Sequence, residues 1–299
     1  MLGIILAGGH GTRLYPSTIA TSKQLLPIYD KPTVYYPLST VMLAGIKKVL
    51  IITDTAQLGD YKTLLGDGSE LGMDITYATQ DHPNGLADAF LIADSLGYNS
   101  DDVFLVLGDN VMYGHDFPKM IEEGWTNASF HGSCIYGYRV VDPSQFGIIQ
   151  DHDGDRVRSV VEKPSQPCNN LAIPGMYFFN RTVYEKAKKV KPSKRGELEI
   201  TSVIEQYIEE GKCRFVELGR GISWFDVGSV EGMYDATNFV RSVQRSQGLM
   251  VANLEEIAME KGWISGGALR RRVERLYKKG VTYGDYLRER YKELWECER

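Results

Sequence analysis

Short apolar, β-branched runs alternate with segments of helical periodicity through the first hundred residues. Positions 2–6, 49–53, 75–78 and 103–107 read as strands, and 33–44, 57–65 and 85–96 carry the spacing of helices. The runs VLII and VFLVL are apolar at every position, as strands covered on both faces should be. Strands alternating with helices predict βαβ units, a parallel sheet and right-handed crossovers. The pattern then changes. Positions 133–140, 147–151, 157–161 and 176–179 read as strands with few helices between them, which favours antiparallel additions. A helix at 198–209 is stopped by Gly211, a strand follows at 214–218, and a long helix at 229–244. Beyond Gly248 the periodicity is helical throughout, at 254–261, 266–279 and 283–294. These elements predict an α/β, Rossmann-like fold with a mixed, mostly parallel central sheet and helices on both faces. The expected division is an α/β domain at 1–247 (halves 1–110 and 111–247) and a helical appendage at 248–299, packed on the core or on a neighbouring subunit.

Composition narrows the picture. With 299 residues, 43% of them hydrophobic, the chain can bury a sizeable core. A net charge of −5 argues against a general nucleic-acid binder. Arg270, Arg271 and Arg272 form a local basic triplet that reads first as a solvated helix face. Cys134, Cys168, Cys213 and Cys297 are widely separated, without metal-site spacing, which suits a reducing compartment. No apolar run reaches transmembrane length, and the apolar start lacks the basic n-region of a signal peptide. The expectation is a cytoplasmic protein with no membrane partner.

Candidate chemistry lies where strands end. IILAGGHGTRLYP places glycines directly after the first strand, at the sheet edge where open α/β folds bind ligands. Glycines let backbone N–H groups approach a phosphate closely. Leu14 stands where a dinucleotide fingerprint needs its last glycine, and no Walker A loop is present. A tight turn is an equal reading, but Arg13 and Lys23 follow within twelve residues of Gly11 and both suit phosphate. LVLGDN sets Asp109 after an apolar strand, and WFDVGS sets Asp226 after another. Two strand-end carboxylates beside a basic glycine loop fit a hard divalent cation held together with a polyphosphate. In VVEKPS, Glu162 and Lys163 precede a proline that favours extended backbone. A surface ion pair is the better reading of them from residues alone, and Arg195 in RGELEITS reads equally as a solvated loop residue. Gln80, at the end of a strand, reads first as a surface glutamine; with a backbone partner its amide would read the N3–H and O4 edge shared by thymine and uracil. The five histidines show no metal-ligand spacing, and no nucleophile–base pair stands out.

These motifs, in this order, resemble the sugar-nucleotide nucleotidylyltransferases, most closely those that join dTTP to glucose 1-phosphate. The resemblance covers about residues 1–250. It implies transfer of a thymidylyl group with Mg²⁺, giving dTDP-glucose and pyrophosphate as the first step of dTDP-deoxysugar (such as dTDP-rhamnose) synthesis. It also implies roles for individual residues. Leu6, Gly8, Gly9, Gly11, Thr12, Arg13, Pro83 and Asp109 would bind the nucleotide, with Gly8, Gly11 and Arg13 on its phosphates, Gln24 near the deoxyribose and Gln80 and Gly85 at the base. Gly108, Asn110, Gly147, Glu162, Lys163, Gly175, Tyr177 and Arg195 would take the sugar phosphate. Asp109 and Asp226 would bind the metal, and Arg13, Lys23 and Lys163 would act in catalysis. A homotetramer and an allosteric nucleotide-sugar inhibitor are further implications, the latter touching Arg270–Arg272. Ser202 stands where such proteins usually carry aspartate, and WFDVGS replaces WLDTGT. Rival readings are a UTP-using uridylyltransferase and a non-catalytic nucleotide-sugar sensor.

Overall fold

The computed structural model describes residues 1–9, 11–80, 82 and 84–296. Ten strands form one sheet, in the order Leu171–Ala172, Ile148–Asp153, Arg156–Val161, Cys213–Glu217, Ser133–Arg139, Met176–Phe179, Val103–Leu107, Leu2–Leu6, Lys48–Thr53, Asp74–Thr79. The four strands at the N-terminal end of the chain pair in parallel. Past Val103–Leu107 the pairing turns largely antiparallel, with Cys213–Glu217 and Ser133–Arg139 a parallel exception. The expected mixed sheet is present, with its weight further toward antiparallel pairing than expected. Met176–Phe179 lies antiparallel to both Val103–Leu107 and Ser133–Arg139, and Ile148–Asp153 with Arg156–Val161 forms a hairpin whose connection is too short to hold a crossover helix.

Alternation along each strand sends side chains to opposite faces. Ile5, Val49, Ile51, Phe104 and Val106 belong to one buried cluster, with the helix Tyr35–Leu43 and, from the C-terminal part, Leu254, Leu269, Val273 and Leu287. Leu2, Ile4, Leu50, Ile52 and Leu105 belong to the other, against Phe90, Val203 and Ile204. The helices Leu254–Glu260, Gly266–Leu276 and Thr282–Arg290 therefore pack on the chain's own core. The helix Phe117–His131 was not anticipated. It carries Gly124 at its centre, where the Tyr136 hydroxyl lies against the backbone and leaves no room for a side chain.

Candidate active site

The carboxyl ends of Leu2–Leu6, Val103–Leu107 and Asp74–Thr79 open onto one edge of the sheet, and the predicted residues gather there. Gly9 and Gly11 adopt positive φ, 103° and 57°, a region that suits glycine. Gly11 caps a short 3-10 turn, Thr12–Leu14, and its carbonyl accepts the Thr18 hydroxyl at 2.7 Å. The Gly9 N–H donates to Asp54 Oδ1 at 3.4 Å. Gly108 donates its N–H to Leu6 at 2.8 Å, and a Cβ there would strike the Leu6 carbonyl. The glycine loop and the GDN segment are thus backbone neighbours.

Asp109 and Asp226 stand beside each other across the two-stranded ladder Asn110–Tyr113 with Ser223–Asp226, where Asn110 pairs with Asp226. Val227 N–H donates to the Asp109 carbonyl at 3.0 Å. The Lys23 ammonium donates to Asp109 Oδ2, and Asn110 Nδ2 to Asp109 Oδ1 at 3.0 Å. Burial alone would raise the Asp109 carboxyl, but the charge and hydrogen bond of Lys23 outweigh it and hold the group below its ordinary value. Asp226 moves the other way: burial and then the Asp109 charge push it up, against the Gly228 N–H at 2.9 Å and the more distant cations. Two half-buried carboxylates with incomplete charge compensation are a hard-oxygen donor set that fits a divalent cation. Among the described residues no third His, Cys, Asp or Glu joins them, so phosphate and water oxygens would complete such a site.

Two cavities adjoin this centre, of about 200 and 220 Å³. The first is lined by Gly8, Gly9, Lys23, Gln24, Gln80 and Gly85, the second by Gly147, Glu162, Lys163, Gly175, Tyr177 and Arg195 among others. Leu86, Leu107, Asp109 and Glu197 line both. Arg13 borders the second cavity, beside Gly228 and Asp226, rather than the first. Pro83 lies outside the described residues.

Several side chains are more engaged with protein than expected. Gln80 Nε2 donates to Asp88 at 2.7 Å. Gln24 is buried, with Oε1 on the Ser22 hydroxyl at 2.5 Å and Nε2 reaching the Gly8 carbonyl at 3.4 Å. Arg195 bonds Glu199 at 2.9 Å and Glu197 at 3.1 Å, with Glu162 at 3.5 Å. Burial, then the Glu199 charge, raises the Glu162 carboxyl despite Lys163 and Arg195. Lys163 departs from the extended backbone expected before a proline. Its φ is 40°, with its N–H drawn to the Phe146 carbonyl at 3.1 Å. A lysine in that region is strained and is held there by its surroundings. The arginine triplet divides as well: Arg272 is tied to Glu255 and Glu70, and Arg270 to Glu274. Sequence reasoning passed over Phe146, Trp224, Glu197 and Glu199. The last three sit in motifs already singled out, WFDVGS and RGELEITS, and strand-end placement was the signal available for Trp224.

The nucleotidyl transferase family model matches residues 2–243, and the chain belongs to that family. Its relatives are more particular. Proteins of Neisseria meningitidis and Mycobacterium tuberculosis named glucose-1-phosphate thymidylyltransferase are each 46% identical, over 96–97% of this chain and 98% of their own length. A Bacillus anthracis structure provisionally assigned as a glucose-1-phosphate thymidylyltransferase, in complex with sucrose, superposes with a TM-score of 0.72 at 34% identity. It covers 81% of this chain and 96% of that one. UDP-glucose pyrophosphorylase with bound UDP-glucose gives 0.70 at 25% identity, covering 81% and 98%.

Proposed function

We propose that the chain transfers a thymidylyl group from dTTP to α-D-glucose 1-phosphate, releasing pyrophosphate. The observation that carries this reading is the pair of adjoining cavities with Asp109 in their shared wall: two anionic substrates can meet beside one charged centre. The near-full-length relatives supply the substrate names. In the first cavity the glycine loop and Lys23 suit the triphosphate. With Gln80 Nε2 held by Asp88, its Oε1 would accept the base N3–H, and a backbone N–H such as that of Gly85 would meet O4. Glu162 would bind sugar hydroxyls and Lys163 the sugar's phosphate.

A sugar phosphate has its second pKa near about 6, so its oxygen is largely deprotonated at neutral pH. That oxygen attacks the α-phosphorus, the bond to the bridging oxygen breaks, and pyrophosphate leaves with the electron pair. No general base is required. What remains is alignment and charge compensation. Lys23 and Lys163 would lower the repulsion between the anions, the glycine-loop N–H groups would stabilise the leaving group, and Arg13 would add positive charge beside Asp226. Asp109 and Asp226 would hold Mg²⁺, which when bound neutralises phosphate charge.

A matrix of dTTP, UTP and other triphosphates against sugar 1-phosphates, read by pyrophosphate release, tests the reading. Thymine differs from uracil by one methyl, typically worth about 1–3 kcal/mol, so both should be offered in competition. We expect dTTP with glucose 1-phosphate to lead, and Asp109→Asn to lose nearly all turnover. Absence of pyrophosphate from every pair would leave the sensor reading in its place.

A further inference from the structure

Asn110, expected among the sugar-phosphate ligands, lines the sugar-side cavity, and its amide oxygen and one amide N–H are bound within the protein. The side chain is buried, 4% exposed. Oδ1 accepts the Trp224 indole N–H at 2.5 Å and the Gly175 backbone N–H at 3.3 Å. Nδ2 donates to Asp109 Oδ1 at 3.0 Å. With donors on one side and a carboxylate on the other, one amide orientation satisfies all three bonds. Both lone pairs of Oδ1 are used. Trp224 and Gly175 belong to the wall of the sugar-side cavity, where the indole also leans on Phe146 at 4.9 Å between ring centres. The other oxygen of Asp109 faces Lys23. Rotation about the terminal torsion of an aspartate is otherwise soft, so these partners set the direction of its carboxylate.

We propose that Asn110 is a positioning residue that locks the Asp109 carboxylate to the sugar-side wall, so that cation site and sugar cavity are set together. This rests on the reading of Asp109 as a metal ligand. Second-shell partners of this kind typically change metal affinity or activity by about 10–100-fold when removed. Trp224 bonds Asn110, not Asp109, so any effect of its N–H on cation binding must travel through the amide.

Calorimetric titration of dTTP, once with Mn²⁺ and once with EDTA, and without sugar phosphate so that nothing turns over, isolates the cation's contribution as a ratio of dissociation constants. Asn110→Ala should reduce that ratio by about 10-fold or more, with dTTP affinity in EDTA held within about twofold. Trp224→Phe keeps a ring but loses the N–H, and should reduce the ratio by about threefold, the scale of coupling between contacting residues. A residue that merely shapes the sugar wall would leave the ratio unchanged. A wild-type ratio in Trp224→Phe overturns the proposal, and that variant decides alone if circular dichroism shows Asn110→Ala unfolded. An undiminished ratio in Asp109→Asn overturns the metal reading and this inference with it. A lost ratio there, beside a wild-type ratio in the other two, overturns this inference only.

Discussion

At position 80 a glutamine offers two faces, and Asp88 takes one of them at 2.7 Å. Asn84 Nδ2 reaches the same Asp88 oxygen at 3.1 Å. Under the proposed function, Asp88→Ala should free the Gln80 amide to rotate and raise the KM for dTTP by about 2–10-fold. That matches the net worth of a hydrogen bond of about 0.5–1.5 kcal/mol, and steady-state kinetics at saturating sugar phosphate would measure it. Glu162 yields a prediction with a sign. Its folded carboxyl sits above the ordinary glutamate value because of burial and Glu199. Its contribution to stability is therefore present below the unfolded value and is lost as pH rises through the folded one. Glu162→Gln should melt higher than wild type at pH 7.5, by a margin that closes as pH falls toward the ordinary glutamate range, while turnover falls sharply. Thermal melts across that pH range check it. An unchanged margin would place the cost of Glu162 elsewhere.

Between elements, backbone fit governs. Gly85 has a φ of 103°, and a Cβ there would lie 2.5 Å from the Leu198 nitrogen. The Leu198 carbonyl accepts the Ala87 N–H at 3.0 Å, and its N–H meets the Asn84 carbonyl at 2.6 Å. Gly85→Ala should therefore part the base loop from the RGELEITS segment, raising KM for both substrates in one assay; an effect on dTTP alone would refute the stitching. The C-terminal helices depend on a different device. Glu255, fully buried, takes Arg272 at 2.9 Å and the hydroxyls of Tyr283 at 2.7 Å and Tyr277 at 3.2 Å. Removing one partner of a buried pair costs about 3–5 kcal/mol. Glu255→Ala should fall at the low end in denaturant unfolding, since Glu70 remains on Arg272. Fully apolar strands and strand-end glycines and aspartates were legible in the sequence because they depend on local pattern alone. The helix Phe117–His131 was not, because its central glycine answers a tyrosine on a separate strand. Nor was the Asn110–Trp224 bond, whose partners lie 114 positions apart.

For the molecule as a whole, the C-terminal helices cover the outer side of the helix Tyr35–Leu43, which lies on one face of the sheet. Leu254, Ala258, Leu269 and Leu287 are buried against the cluster that includes Leu38 and Met42. A chain ended after Gln247 would bare that side, an aggregation hazard. It should be recovered in inclusion bodies, and a soluble, active fragment would show that the α/β part folds without them. The predicted mostly parallel sheet was sound for the first half, where helices separate the strands. It was less so in the second, because single apolar runs do not report the direction of their neighbours. Val103–Leu107 carries Leu2–Leu6 in parallel on one edge and Met176–Phe179 antiparallel on the other. The Leu107 N–H meets the Gly175 carbonyl at 2.8 Å, while Gly108 bonds back to Leu6. Under the proposed function, the two bound anions then flank the end of one shared strand, so their separation follows from the spacing between neighbouring strands, not from the angle of a hinge.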